Sequence, residues 1–90
     1  MPRFILINPA DNVATALTDL DQGEEVEIDG NNITLAKAIE MGHKFAIKPI
    51  NKDEEVIKYG EIIGIARKDI NAGDRVNENN IRSQDFRVKS

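Results

Sequence analysis

The chain has 90 residues, 40% of them hydrophobic and 4% aromatic, enough for one domain with a thin and largely aliphatic core. It contains no cysteine, which excludes a disulfide scaffold, a thiolate nucleophile and a cysteine-based zinc site and points to a reducing, cytoplasmic setting. The net charge of −4 argues against nonspecific nucleic-acid binding, and neither export nor membrane anchoring is expected, because no signal-peptide pattern and no run near the roughly 18 apolar residues of a membrane span occurs.

Charge is spread unevenly. Residues 1–42 carry eight acids against Arg3 and Lys37, whereas residues 43–90 carry eight acids against ten lysines and arginines. The resulting −6 and +2 leave room for a small anion at a local basic spot.

Phe4-Ile5-Leu6-Ile7 is a continuous apolar run stopped by Asn8-Pro9, which predicts a first strand buried on both faces. Val13, Ala16, Leu17 and Leu20 recur at helical spacing behind Asp11, whose carboxylate can cap a first turn, so a short helix is predicted over 11–18. Val26 and Ile28 alternate with Glu25 and Glu27, Asp29-Gly30 supplies the positive φ of a two-residue turn, and Ile33 and Leu35 alternate on the return as a β-hairpin.

A heptameric pattern recurs four times: Leu20-x-x-Gly23-x-x-Val26, Ile39-x-x-Gly42-x-x-Phe45, Ile50-x-x-Asp53-x-x-Val56 and Ile70-x-x-Gly73-x-x-Val76. Its physical reading is a tight turn in which glycine or aspartate takes a left-handed backbone while the flanking apolar residues enter the core. The copies are irregularly spaced, which disfavours a solenoid and suits a much-folded β domain. Phe45-Ala46-Ile47, Val56-Ile57 and Ile62 to Ala66 read as short strands. The tail, 83–90, has one anchor in Phe86, and its end is expected to be mobile or to dock elsewhere. No linker is visible, so residues 1–90 are read as one domain with its core over about 4–82.

His43, the single histidine, follows the turn residue Gly42. An imidazole there can serve as a general acid or base or as a metal ligand, and the alternative is a solvated surface histidine. A metal site needs three or four converging ligands, which the spacing of the carboxylates does not reveal. Lys58 and Tyr59 set an ammonium beside a phenol, able to bind a carboxylate or polarise a hydroxyl; equally, Tyr59 can pack its ring and keep its hydroxyl wet. Lys44, Lys48, Lys52 and Lys58 make the middle of the chain basic, which ordinary surface solvation also explains. Nucleotide-binding and serine-hydrolase motifs are absent, so within an enzyme this inventory would complete a larger site rather than form one alone.

Gly42-His43-Lys44-Phe45-Ala46, then Val56 to Gly64 around Lys58-Tyr59-Gly60, then Asp69 to Val76 closely resemble the N-terminal SAF domain of the altronate and galactarate dehydratase family. Ile7 to Ala14 resembles that family's start, so the resemblance covers residues 4–82. It implies a mostly β, SAF-type β-clip fold of short strands and tight turns with one or two short helices. It further implies a hydro-lyase acting on a hydroxylated acid, usually with a divalent metal such as iron held mainly by a large subunit. The same small domain occurs as a separate subunit in related lyases, including sulfolactate sulfo-lyase, an arrangement that 90 residues suit.

By position, His43 matches the family's glycine-histidine-lysine motif, and Lys44, Lys58 and Tyr59 match its neighbours. After the last turn the family commonly has histidine-x-histidine-asparagine, where this chain has Asn77-Glu78-Asn79-Asn80. Asn80 alone keeps that pattern, and Asn77 and Asn79 imply a changed site, a different substrate or no activity. The resulting expectation is a small subunit with His43 as acid/base or metal ligand and with Lys44, Lys58, Tyr59 and Asn80 on the substrate. Its expected partners are a large dehydratase subunit and a small hydroxy acid, with no nucleic acid or membrane. A homodimer would cover strand edges that so thin a core leaves open. The alternatives are a noncatalytic module that binds a small acid or mediates assembly, and the small subunit of a sulfolactate sulfo-lyase.

Overall fold

Each heptamer folds in the same way, and together the four set the architecture. The computed structural model describes residues 2–83. The central residue of every copy has a positive φ: 83° at Gly23, 87° at Gly42, 75° at Asp53 and 95° at Gly73. The N–H of the following residue bonds back to the carbonyl three positions earlier, as from His43 to Glu40 at 2.9 Å, which makes each a type II turn. Two residues then oppose one on the neighbouring strand: Gly42 N–H donates to Ala16 O at 2.8 Å and Ala16 N–H to His43 O at 2.9 Å, a β-bulge. Gly23 and Glu24 meet Leu35 in this manner, Asp53 and Glu54 meet Ala66, and Gly73 and Asp74 meet Ala46. The leading residues pair across the molecule, Leu20 with Ile39 and Ile50 with Ile70, and all four are buried.

Among the described residues the chain runs through nine strands: β1 (Phe4–Ile5), β2 (Val13–Ala16), β3 (Glu25–Ile28), β4 (Asn31–Thr34), β5 (Lys44–Ala46), β6 (Glu55–Lys58), β7 (Glu61–Ala66), β8 (Arg75–Val76) and β9 (Ile81–Ser83). They form an antiparallel sheet in the order β1-β2-β5-β8, a hairpin β3-β4 and a sheet β6-β7-β9. The first sheet carries a hydrophobic cluster on each face. Ala14, Ala16 and Phe45 join Leu20, Ile39 and the β3-β4 hairpin on one side, where the Phe4 ring stands edge-on to Phe45 with centroids 5.9 Å apart. On the other side Val13, Ala46 and Val76 join Ile50, Val56, Ala66, Ile70 and Ile81.

This two-sided burial overturns the expected helix over 11–18, whose central residues form β2 instead. Val13, Ala14, Thr15 and Ala16 are all at most 9% exposed, because a strand with a core on both faces shows a continuous apolar run rather than alternation. No helix is present among the described residues, none therefore long and apolar enough to cross a membrane. Asp11 caps nothing: its Oδ1 accepts the Gly60 N–H at 2.7 Å and its Oδ2 the Asn8 N–H at 3.1 Å. The first strand also differs from expectation. It pairs over only two residues at the sheet edge and is half-buried, and Ile7 beyond it is 59% exposed. The hairpin turn at Asp29-Gly30 is as predicted, with φ of 53° and 81°. Phe86 lies outside the described residues.

Candidate functional site

A row of side chains crosses the four-stranded sheet on one face: Ile5, Thr15, Lys44 and Val76, from β1, β2, β5 and β8. Lys44 is half-buried within this row. Its burial, and then the charge of Lys58, push its ammonium below the ordinary lysine value. Lys58 closes β6 with its Nζ 4.9 Å from the centroid of the Tyr59 ring. The Tyr59 hydroxyl in turn donates to Thr15 Oγ1 at 3.4 Å. Lys44, Lys58 and Tyr59 are thus gathered around Thr15, a residue that sequence reasoning missed. A hydroxyl inside the otherwise apolar Val13–Ala16 stretch was the available signal. A half-buried ammonium beside a second cation favours an anion between the two, because the anion's charge offsets their repulsion.

The hairpins β3-β4 and β6-β7 are counterparts, each turning six and seven residues beyond the turn residue of its own heptamer. Where the first has Ile28, Asp29 and Gly30, the second has Lys58, Tyr59 and Gly60. Tyr59 sits at φ 55° and Gly60 at φ 78°. A bulky side chain in the left-handed region costs about 1–2 kcal/mol, so stability alone does not account for the tyrosine. Tyr59→Asn is therefore expected to match the wild type within about 0.5 kcal/mol in urea unfolding, the relieved strain offsetting a cation–π contact of about 0.5–1 kcal/mol. A loss well above about 1 kcal/mol would show that the tyrosine serves the fold.

His43 departs from the internal pattern too. At the same place in the other three heptamers an acid closes the turn, Glu24 accepting from Asp21 N–H at 3.0 Å, Glu54 from Asn51 N–H at 2.7 Å and Asp74 from Asn71 N–H at 2.8 Å. His43 makes no such bond; its half-exposed imidazole has Nε2 3.8 Å from Glu40 Oε1. Alternation along the strand sends Lys44 to the Thr15 face and His43, opposite Ala16, to the other. The two residues share one end of β5 and do not converge within this chain. Among the described residues no three His, Asp or Glu side chains gather to hold a metal. A divalent ion on His43 and Glu40 would need its remaining ligands from another chain.

Asn80 belongs elsewhere. It is buried, with Oδ1 accepting the Asn77 N–H at 2.9 Å and Nδ2 donating to the Arg75 carbonyl at 2.7 Å. It lines an open hollow beside β8 together with Lys37, Lys68, Arg75, Asn77 and Asn79. Its amide is engaged at both ends by backbone, which holds the turn between β8 and β9.

A sequence profile of the altronate/galactarate dehydratase SAF domain matches residues 2–84. The chain is 47% identical over 81 residues to altronate dehydratase of Escherichia coli (strain K12), covering 90% of this chain and 16% of that protein. It is 36% identical over 83 residues to altronate dehydratase of Bacillus subtilis (strain 168), covering 92% and 17% respectively. With the (2R)-sulfolactate sulfo-lyase subunit alpha of Chromohalobacter salexigens it shares 40% identity over 47 residues, 52% of this chain and 50% of that subunit. The chain thus spans about one-sixth of the length of the two altronate dehydratases. With a profile match along nearly its whole length, it belongs to the altronate/galactarate dehydratase SAF-domain family.

Proposed function

We propose that this chain is the small subunit of a cytoplasmic hydro-lyase that dehydrates a sugar acid such as altronate or galactarate, its SAF-type β-clip domain completing the active site of a separate large subunit. The observation that carries this reading is the half-buried Lys44 beside Lys58, Tyr59 and Thr15, a cationic, hydroxyl-bearing spot fitted to one carboxylate. Similarity to a lyase subunit named as such supports the two-chain arrangement.

Dehydration removes the proton on C2, next to the carboxylate, and the hydroxyl on C3 as water. The resulting enol becomes a 2-keto acid. Lys44 and Lys58 hold the carboxylate and stabilise the charge that grows on it as the C2 proton leaves for a base. Tyr59 and Thr15 orient it by hydrogen bonding. His43, at the same strand end but on the other face, is assigned the acid/base or metal-ligand role in the assembled enzyme, serving the site on its own face rather than the carboxylate held at Lys44. A divalent ion would belong to that large subunit, where it would supply Lewis-acid stabilisation.

A second reading is favoured by Asn77 and Asn79, which stand where the family commonly has histidines: a noncatalytic module that binds a small acid or mediates assembly. The test combines this chain with a large dehydratase subunit and ferrous iron and follows 2-keto acid formation from altronate and galactarate, with sulfolactate as the substrate for a sulfo-lyase. Product only from the pair is expected. A pair that is folded and associated yet yields none would favour the module.

A further inference from the structure

Asp11 is the one fully buried acid among the described residues, 1% exposed. It closes a turn that the chain builds twice. Asn8 N–H donates to Asp11 Oδ2 at 3.1 Å and Ala10 N–H to Asn8 Oδ1 at 2.9 Å, just as Asn77 N–H donates to Asn80 Oδ1 and Asn79 N–H to Asn77 Oδ1, both at 2.9 Å. The second turn shows that one amide oxygen suffices for closure. At Asp11 a second oxygen is left over, and it takes the Gly60 N–H at 2.7 Å, from a hairpin 49 positions along the chain. Burial raises the carboxyl's proton affinity, but N–H bonds led by those of Gly60 and Asn8 outweigh it and hold the group ionised below the ordinary aspartate value.

The bond to Gly60 falls where support is needed. A strained conformation persists only when its surroundings over-determine it, and Tyr59 is held at φ 55° directly before Gly60. Gly60 is in turn fitted against Asn8, whose Nδ2 would lie 2.7 Å from any added Cβ. We infer that Asp11 is a positioning residue for Tyr59: by gripping the Asn8 and Gly60 amides at once, its carboxylate clamps the Lys58-Tyr59-Gly60 turn to the first loop and sets the phenol against Thr15. The catalytic consequence rests on the dehydratase reading, whereas the clamp itself is a property of this chain alone.

The test begins with Asp11→Asn in the 90-residue chain by NMR. Tyr59 is the single tyrosine, so its ring signals are unambiguous. The Tyr59 hydroxyl lies 3.4 Å from Thr15 Oγ1, and the ring contact with the Thr15 side chain that this proximity gives is expected to disappear, while cross-strand contacts between Val13 and Ala46 persist. Retention of the ring contact in Asp11→Asn would overturn the inference. Should that variant not fold, the wild type decides: the Gly60 and Asn8 amide protons are expected to shift together with one carboxylate titration on the acid side of the ordinary aspartate value, and a Gly60 amide that does not follow it would count against the clamp. In the assembled dehydratase, Asp11→Asn and Tyr59→Phe are each expected to lower kcat/KM about tenfold, and the double variant no further. Independent, multiplying losses would overturn the inference. An inactive wild-type pair would sink the dehydratase reading alone, with the NMR contact still deciding the clamp.

Discussion

His43→Ala is expected to lower turnover of the assembled dehydratase by about 10²–10⁴-fold, the range of a lost general acid or base, and to leave the thermal midpoint of the small chain unchanged. Stability is spared because the imidazole does little for the fold. Its side chain is half-exposed, and the Glu40 carboxylate it faces is 3.8 Å away and more exposed still; surface pairs of this kind contribute about 0–1 kcal/mol. The internal repeat sharpens the experiment. Asp74 occupies the equivalent place and closes its turn on Asn71 N–H at 2.8 Å. His43→Asp should therefore restore the turn-closing bond, raise stability by about 0.5–1 kcal/mol and be as inactive as the alanine variant. Wild-type turnover in either variant would remove His43 from the site. A large loss of stability in the alanine variant would show that the histidine is structural.

Gly73→Ala is expected to destabilise the fold more than any other glycine-to-alanine change. A Cβ there would lie 2.1 Å from the Thr34 carbonyl oxygen and 3.1 Å from its carbon, both backbone atoms that cannot swing away, and the residue has φ 95°. The contact is structural on both sides, since Gly73 N–H donates to Ala46 O at 2.8 Å and Gly73 O accepts from Ala36 N–H at 3.0 Å. A left-handed alanine costs about 1–2 kcal/mol, and overpacking adds about 1–3 kcal/mol. Against a total stability of about 5–13 kcal/mol for a domain of this size, the sum lowers the midpoint by roughly 10–25 °C. Gly23→Ala is the control. Gly23 has φ 83° but nothing within 4 Å of an added Cβ, so only the conformational cost should remain. Equal losses at the two positions would show that the approach to Thr34 is not what holds Gly73 in place.

Local chemistry made the four turns and the first hairpin readable. Glycine or aspartate between two apolar residues at a spacing of three allows a left-handed turn with both flanks in the core, and Asp29-Gly30 between alternating residues allows little but a tight hairpin. The family was readable for the same reason, since the resemblance rests on short stretches around Gly42, Gly60 and Gly73 whose residues are neighbours in the chain. The sequence did not reveal β2: a strand buried on both faces loses the alternation that would distinguish it, and Asp11 at the head of Val13, Ala16 and Leu20 imitates a capped helix. Nor did it reveal which turns pair, because the bridges of Leu20 with Ile39 and of Ile50 with Ile70 are nonlocal.

The site divides along the same line. The residue types able to bind a carboxylate were visible, but their grouping was not. Thr15 acquires its place from strand register, and Asp11 from a hairpin 49 positions away that needs a buried acceptor. Pleating then sets His43 and Lys44, neighbours in the chain, on opposite sides of one strand. By itself the sequence determined the turns, the family and the chemical inventory, because those depend on neighbours within a few residues. Only the tertiary structure decided which groups share a face, because that depends on register and on burial from both sides.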